Sequence, residues 1–278
     1  MEHKKAWMVW LGAALLMGSF FPSYAGADGL SADDIVKKSF AVDGGDDSLS
    51  RISFIFQENG QPERRLTYFM AWKKFKGAGD IDSKVIMFRE FPPDAKGVSY
   101  MGFFYRPELN RNDDEWLYLP ELRLVRKLSH SGPKHAKEEE FAKSELRQYD
   151  LMPRDPGADG HQLLRSEALE GVDCYVIEST PTGRADYYPY SKAVKWIAKD
   201  GFLPLRSDYY DEKGNLLKRQ TFKWRRAGDA WVWEAVTAEN VQTGNKTALR
   251  ISDIRVNVGL TDDVFTKRVM QVGVEGGK

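Results

Sequence analysis

The residues that could carry chemistry are few, and their spacing does not suit it. "HSGPKH" sets His130 and His135 five apart in a Gly/Pro loop, and His161 stands alone after "ADG". Neither arrangement has the ligand spacing of a zinc site. "DGGDD" (43–47) and "DPGADG" (155–160) gather acids among glycines. Both lack the alternating ligands closed by a Glu that a calcium loop requires, so turn formation accounts for them. Glu138, Glu139 and Glu140 form a charge run that repels itself and stays in water. Cys174, in "GVDCYVIES", alternates with apolar neighbours and reads as a small buried residue rather than a nucleophile. No nucleophile elbow, P-loop or dinucleotide fingerprint occurs. The expectation is a protein with no catalytic residue, no cofactor and no metal.

The amino-terminal end suggests export. "MEHKK" is a short positive segment, "AWMVWLGAALLMGSFF" is an apolar core of 16 residues, and "PSYAGADG" follows with small residues. Ser23 and Ala25 fit the −3 and −1 positions of a signal-peptide cleavage site, with Ala27 as the second choice. The core is short for a membrane span, and no cysteine follows it for lipid attachment. Residues 1–25 are expected to be removed, leaving 26–278 as one domain with 39 basic and 40 acidic residues. That balance argues against nucleic acid or an anionic membrane surface as partner. A single cysteine excludes an internal disulfide.

Aromatic residues make up 13% of the chain, and the elements explain where they go. Ser31 and Asp34 have capping-box spacing before a helix of about ten residues closed by Gly44 and Gly45. Period-two segments then follow one another, divided by "ENGQP", "PPDAKG", "KDG", "DEKGN", "AGD" and "TGN" turns. About eleven strands are expected in one antiparallel sheet, with a lid-like insertion at about 129–160. Thr261 is placed to cap a short final helix. A sheet of this size curls as its twist accumulates. The charged residues of "LLKRQTFKWRR" and "ALRISDIRVN" give those strands a wet face and exclude an outer-membrane barrel.

In the first half of the chain both strand faces carry large side chains, so both need cover. Candidate lining residues are Phe54, Tyr68, Met70, Trp72, Met87, Met101, Phe104, Trp116 and Tyr118. They fit an ordinary packed core, and they equally fit an interior that accepts an apolar ligand. Methionine suits the second reading because it adapts to varied partners.

Four stretches, "DDEWLYLPELRLVRKLSHS", "EEFAKSEL", "YPYSKAVKWIAKDGFLPLRSDYYDEKGNLLK" and "LTDDVFTKRVM", resemble the LolA-like family of outer-membrane lipoprotein-sorting proteins. The resemblance spans roughly residues 28–271 and points to the family's larger branch, associated with exporters of the resistance-nodulation-division (RND) type. It implies a mainly β (α+β) fold, a half-open antiparallel β-barrel with helices over its concave face. It implies a soluble periplasmic chaperone in a Gram-negative cell that binds the acyl chains of a lipoprotein and ferries them from an inner-membrane complex to an outer-membrane acceptor. A carrier or accessory for another lipid, working with an RND-type transporter, is the second reading; a periplasmic lipid or glycan hydrolase is the enzyme alternative. Burying one CH₂ is worth about 0.8 kcal/mol, so a sixteen-carbon chain gains on the order of 12 kcal/mol gross. A carrier must therefore line its site imperfectly and open it for release.

Overall fold

The computed structural model describes residues 29–77, 79–106, 109, 111–128, 144–152, 154–183 and 188–274. The expected signal segment, His130, His135 and the Glu138–Glu140 run lie outside these residues.

Helix α1 (Ala32–Phe40) begins as its sequence dictates: Ser31 Oγ accepts the Asp34 N–H at 3.1 Å, and the Asp34 carboxylate accepts the Ser31 N–H at 3.2 Å. It stops at Ala41, short of the glycine pair, because an Asp43 side-chain bond to the Gly45 N–H already turns the chain toward the first strand. Thirteen strands follow: β1 (Asp47–Gln57), β2 (Arg64–Lys74), β3 (Ile81–Phe91), β4 (Ser99–Tyr105), β5 (Asp114–Leu119), β6 (Leu124–Leu128), β7 (Asp159–Leu169), β8 (Val172–Pro181), β9 (Lys192–Ala198), β10 (Pro204–Tyr210), β11 (Leu216–Ala227), β12 (Ala230–Asn240) and β13 (Lys246–Val256). One helical turn, α2 (Gln148–Leu151), precedes β7, and α3 (Lys267–Val272) ends the fold. Thirteen strands replace the expected eleven because every hairpin arm pairs separately, including the short β5 and β6.

All thirteen belong to one antiparallel sheet ordered 6-5-4-3-2-1-13-12-11-10-9-8-7. Two meanders, β1–β6 and β7–β13, are therefore joined side by side through the β1–β13 pair, and the sheet does not close: β6 and β7 are its two edges. One consequence is purely topological. The segment joining β6 to β7 must travel from one edge of the sheet to the other.

Each face has its own cover. On the front face, Ile52, Phe54, Phe56, Leu66, Tyr68, Val85, Met87, Val236, Ala238 and Leu249 form one apolar cluster. Farther along the same face α1 lays Ala32, Ile35 and Val36 onto Tyr175, Ile177 and Ile197. The back face packs Leu49, Phe69, Ala71, Ile86 and Met101 beneath Phe265 and Met270 of the carboxy-terminal segment. Helical cover is thus divided between the two faces and is not confined to one. The last helix is capped by Thr266, whose side chain accepts the Val269 N–H; Thr261 precedes a 3-10 turn instead and spends its hydroxyl on Asp263. Asp262 is held by Lys73 Nζ at 2.9 Å and Lys84 Nζ at 3.3 Å, which pins this segment to the back face.

Candidate functional site

Strand parity separates the candidate lining residues. Ser50 opposes Met70, Tyr68 opposes Ile52, Met70 opposes Met87, and Trp72 opposes Val85. Directly opposed residues share a face, so Phe54, Tyr68, Met70, Trp72, Met87 and Phe104 stand together on the front. Phe54 and Tyr68 meet edge to face with ring centroids 6.3 Å apart. Met101, Trp116 and Tyr118 do not join them. The β3–β4 register pairs Met101 with Ile86, and Trp116 follows Met101 onto the back face, where Tyr118 also packs under the last helix. Trp116 contacts Phe103 there, at 5.0 Å between rings. One lining therefore becomes two walls of six and three residues.

At its far end the front wall continues into half-buried aromatics. The rings of Phe222 and Trp224 each lie 5.9 Å from that of Trp233, and Trp233, Ile251 and Trp72 each pack against the apolar cluster.

The middle of this face is occupied by the crossing segment. Leu146 is fully buried within the front cluster, and Leu151 packs beside it. A polar network anchors them. The Asp150 carboxylate accepts from Tyr190 Oη at 2.8 Å, Lys218 Nζ at 2.5 Å and the Arg147 N–H at 2.7 Å. Lys218 also donates to the Glu145 carbonyl at 3.0 Å, Gln220 Nε2 donates to the Asp150 carbonyl at 2.9 Å, and Thr247 Oγ1 accepts the Glu145 N–H at 2.9 Å. Burial draws the Lys218 ammonium below the usual lysine range, with the Asp150 carboxylate pulling the other way. Burial, then the Asp150 charge, pushes the Tyr190 phenol well above its usual range. Lys218 and Gln220 share a strand parity with Phe222; Thr221 and Lys223 on the other parity keep the expected wet face of β11, and Lys218 is the charged residue that departs from it.

Four buried side-chain atoms among the described residues have no hydrogen-bond partner: Ser50 Oγ, Arg89 Nε, Gln220 Oε1 and Trp233 Nε1. All four residues belong to the front face by register. An open cleft of about 380 Å³ at the β1 bulge is lined by Ser50, Arg51, Phe69, Asp253, Ile254 and Arg255, and its Arg51 is already engaged by Glu90 and Asp253.

Sequence reasoning missed Leu146, Asp150, Lys218 and Arg89. The two cations carried a readable signal, since each occupies the apolar parity of its strand. His161 and Cys174 have structural places. His161 bridges Ser179 Oγ and the Pro156 carbonyl at 2.9 Å each, and burial lowers its basicity. Cys174 lies in the core with Val176, Val194 and Trp196, and burial pushes its thiol up. Among the described residues no three His, Cys, Asp or Glu side chains converge as metal ligands, and no helix is long and apolar enough to cross a membrane.

Comparison with known proteins gives this geometry a family. A protein-family model described as "-like: Uncharacterized protein" matches residues 81–272. The search of curated proteins returns no match. Among solved structures, a DUF1329 family protein from Desulfovibrio piger is 30% identical, with a TM-score of 0.73 over 86% of this chain and 98% of its own. A domain from Vibrio parahaemolyticus, named for outer-membrane lipoprotein sorting, is 29% identical with a TM-score of 0.71, over 86% and 98% of the two chains. A LolA superfamily protein from Nitrosomonas europaea shares the fold at 20% identity, with a TM-score of 0.59 over 86% and 99%. The chain belongs to the DUF1329 family, and it has the fold of the LolA superfamily protein.

Proposed function

We propose that this protein is a periplasmic carrier that shelters acyl chains against the front face of its sheet. One observation carries the reading: Leu146, an alkyl side chain on a segment crossing the sheet, is inserted among Phe54, Tyr68, Met87 and Leu249. A hydrocarbon tail would compete for the same surface. In the unloaded protein Leu146 keeps that surface from water, and in the loaded protein it gives way. The Asp150–Lys218–Tyr190 network sets the strength of closure. The cargo on this reading is the lipid end of an acylated lipoprotein. An inner-membrane transporter of RND type would supply it and an outer-membrane acceptor would receive it. Residues 1–25 would direct export and be removed.

Native mass spectrometry of protein prepared from the periplasm tests the proposal, together with displacement of a fluorescent fatty acid. Adducts of acyl mass and saturable displacement support a carrier. Protein free of lipid that also fails to displace the probe would contradict it. Turnover of a lipid ester that one Ser, His or Asp substitution abolishes would make the protein a hydrolase.

A further inference from the structure

Arg89 is a cation in an apolar place. It follows Val85 and Met87 on the front parity of β3, opposite Tyr68 in the regular register, and the strand bulges just beyond it at Glu90. Its guanidinium carbon lies 4.5 Å from the centre of the Tyr68 ring, and one Nη donates to the Tyr68 hydroxyl. Its Nε is buried and bonds to nothing. No carboxylate among the described residues lies within ion-pair distance of it, whereas the neighbouring Glu90 is turned to the back face and pairs with Arg51 at 3.0 Å. A second cation stands close by. Arg64 lies on the front parity of β2, with its guanidinium 4.0 Å from the Phe56 ring centre, and its side chain reaches the exposed Glu58 at 3.8 Å. Burial raises the Tyr68 phenol while both guanidiniums pull it down, so the field of both cations reaches this one hydroxyl.

A half-buried guanidinium whose buried Nε–H is unused, beside an apolar wall, has a natural complement: an anionic group attached to an alkyl chain. We propose that Arg89, assisted by Arg64 and Tyr68, is a headgroup subsite for a phosphate or carboxylate carried on an acyl lipid. From Tyr68 the front parity of β2 runs through Met70 to Trp72, four residues and roughly 13 Å of apolar wall for the tail. Guanidinium is suited to this task because its planar donors match both oxygens of phosphate or carboxylate. The inference rests on the acyl-carrier reading and sharpens it. A lipoprotein's lipid end brings no such anion of its own, so this inference keeps the acyl carrier and replaces the lipoprotein named above by an acidic lipid as cargo.

The test compares dodecyl phosphate, dodecanol and inorganic phosphate as competitors of a neutral fluorescent alkyl probe, below micelle-forming concentrations. Wild type is expected to bind dodecyl phosphate about tenfold or more tighter than dodecanol, with inorganic phosphate competing only weakly. Arg89→Met is expected to bring dodecyl phosphate down to the level of dodecanol and to leave dodecanol unchanged. Arg89→Lys should keep part of the preference. Arg64→Met, at a half-exposed position, should reduce the preference without loss of fold. Equal binding of phosphate and alcohol by wild type would overturn the headgroup subsite while leaving the carrier reading intact. Failure of every alkyl ligand to bind would instead overturn the carrier reading. Inorganic phosphate competing as well as dodecyl phosphate would make this a free-anion site and refute the lipid headgroup. Arg89→Met should fold as well as wild type, because it removes a half-buried charge that has no acidic partner among the described residues.

Discussion

Lys218 Nζ and the Asp150 carboxylate meet at 2.5 Å on the front face, with side-chain exposures of 5% and 0%. They are 68 residues apart in the chain. One belongs to the sheet and the other to the segment that must cross it. A buried pair of this kind is weak evidence for net stability, but breaking it leaves one charge stranded. Its role here is to hold the crossing segment in one place.

Replacing Lys218 by Met strands the Asp150 carboxylate, at a cost of about 3–5 kcal/mol if the segment stays put. The segment has a cheaper option, which is to lift and take Asp150 into water. Hydrogen exchange is expected to speed up at residues 144–151 well before it does in β1, β2 and β13. Exchange that rises equally across the whole sheet would mean that the pair is ordinary core.

Leu146→Ala removes the side chain that competes with a ligand tail. A buried Leu→Ala change costs about 2–5 kcal/mol when the site cannot relax. Part of that loss is borne by the closed state alone, and each 1.4 kcal/mol is worth about tenfold in affinity. Acyl-probe titration should therefore show tighter binding, by about tenfold or more, despite a lower Tm. Weaker or unchanged binding would contradict the competition.

Met87 and Met101 give a comparison across the sheet. Both are buried, and changing either to Ala is expected to cost about 2–4 kcal/mol, measured as a lower denaturation midpoint. Only Met87→Ala should alter acyl affinity, because Met101 faces the last helix. Trp72→Asp, at the half-buried end of the front wall, should weaken binding while the fold survives.

Acid should loosen the carboxy-terminal segment. Hydrogen bonding by Lys73, with the Lys84 charge, holds the Asp262 carboxyl below its ordinary value of 3.8, against a smaller opposing effect of burial. A lowered carboxylate contributes stability that is present above pH 3.8 and is lost as pH falls through the depressed folded value. Asp262→Asn should reduce Tm at pH 7 and narrow the difference in Tm between pH 7 and pH 3. An undiminished difference would remove Asp262 from the acid response.

Much of this was readable in advance where one local rule decides. Ser31 and Asp34 made their capping box, and the alternation of Leu66, Tyr68, Met70 and Trp72 put them on one face. Nothing within "SYMGFFY" chooses between the Tyr100 and Met101 parities, since both are apolar; only pairing with Ile86 turns Met101 to the back. The start of the last helix was misread: Thr261 leads into a 3-10 turn whose Asp262 is bound by lysines of β2 and β3, and Thr266 caps the helix that follows. The crossing segment is the least local feature. Its path follows from the strand order, with β6 and β7 on opposite edges, and no pattern inside residues 144–151 announces Lys218 as a partner.

The most direct test of an acyl-binding front face is the set of tryptophan indole N–H resonances during titration with a soluble alkyl ligand. Trp72 and Trp233 belong to the front, whereas Trp116 and Trp196 pack on the back. Saturable shifts at Trp72 and Trp233, with Trp116 and Trp196 unmoved, are the expected result. Shifts confined to the back-face pair, or no saturable shift at any of the four, would contradict it.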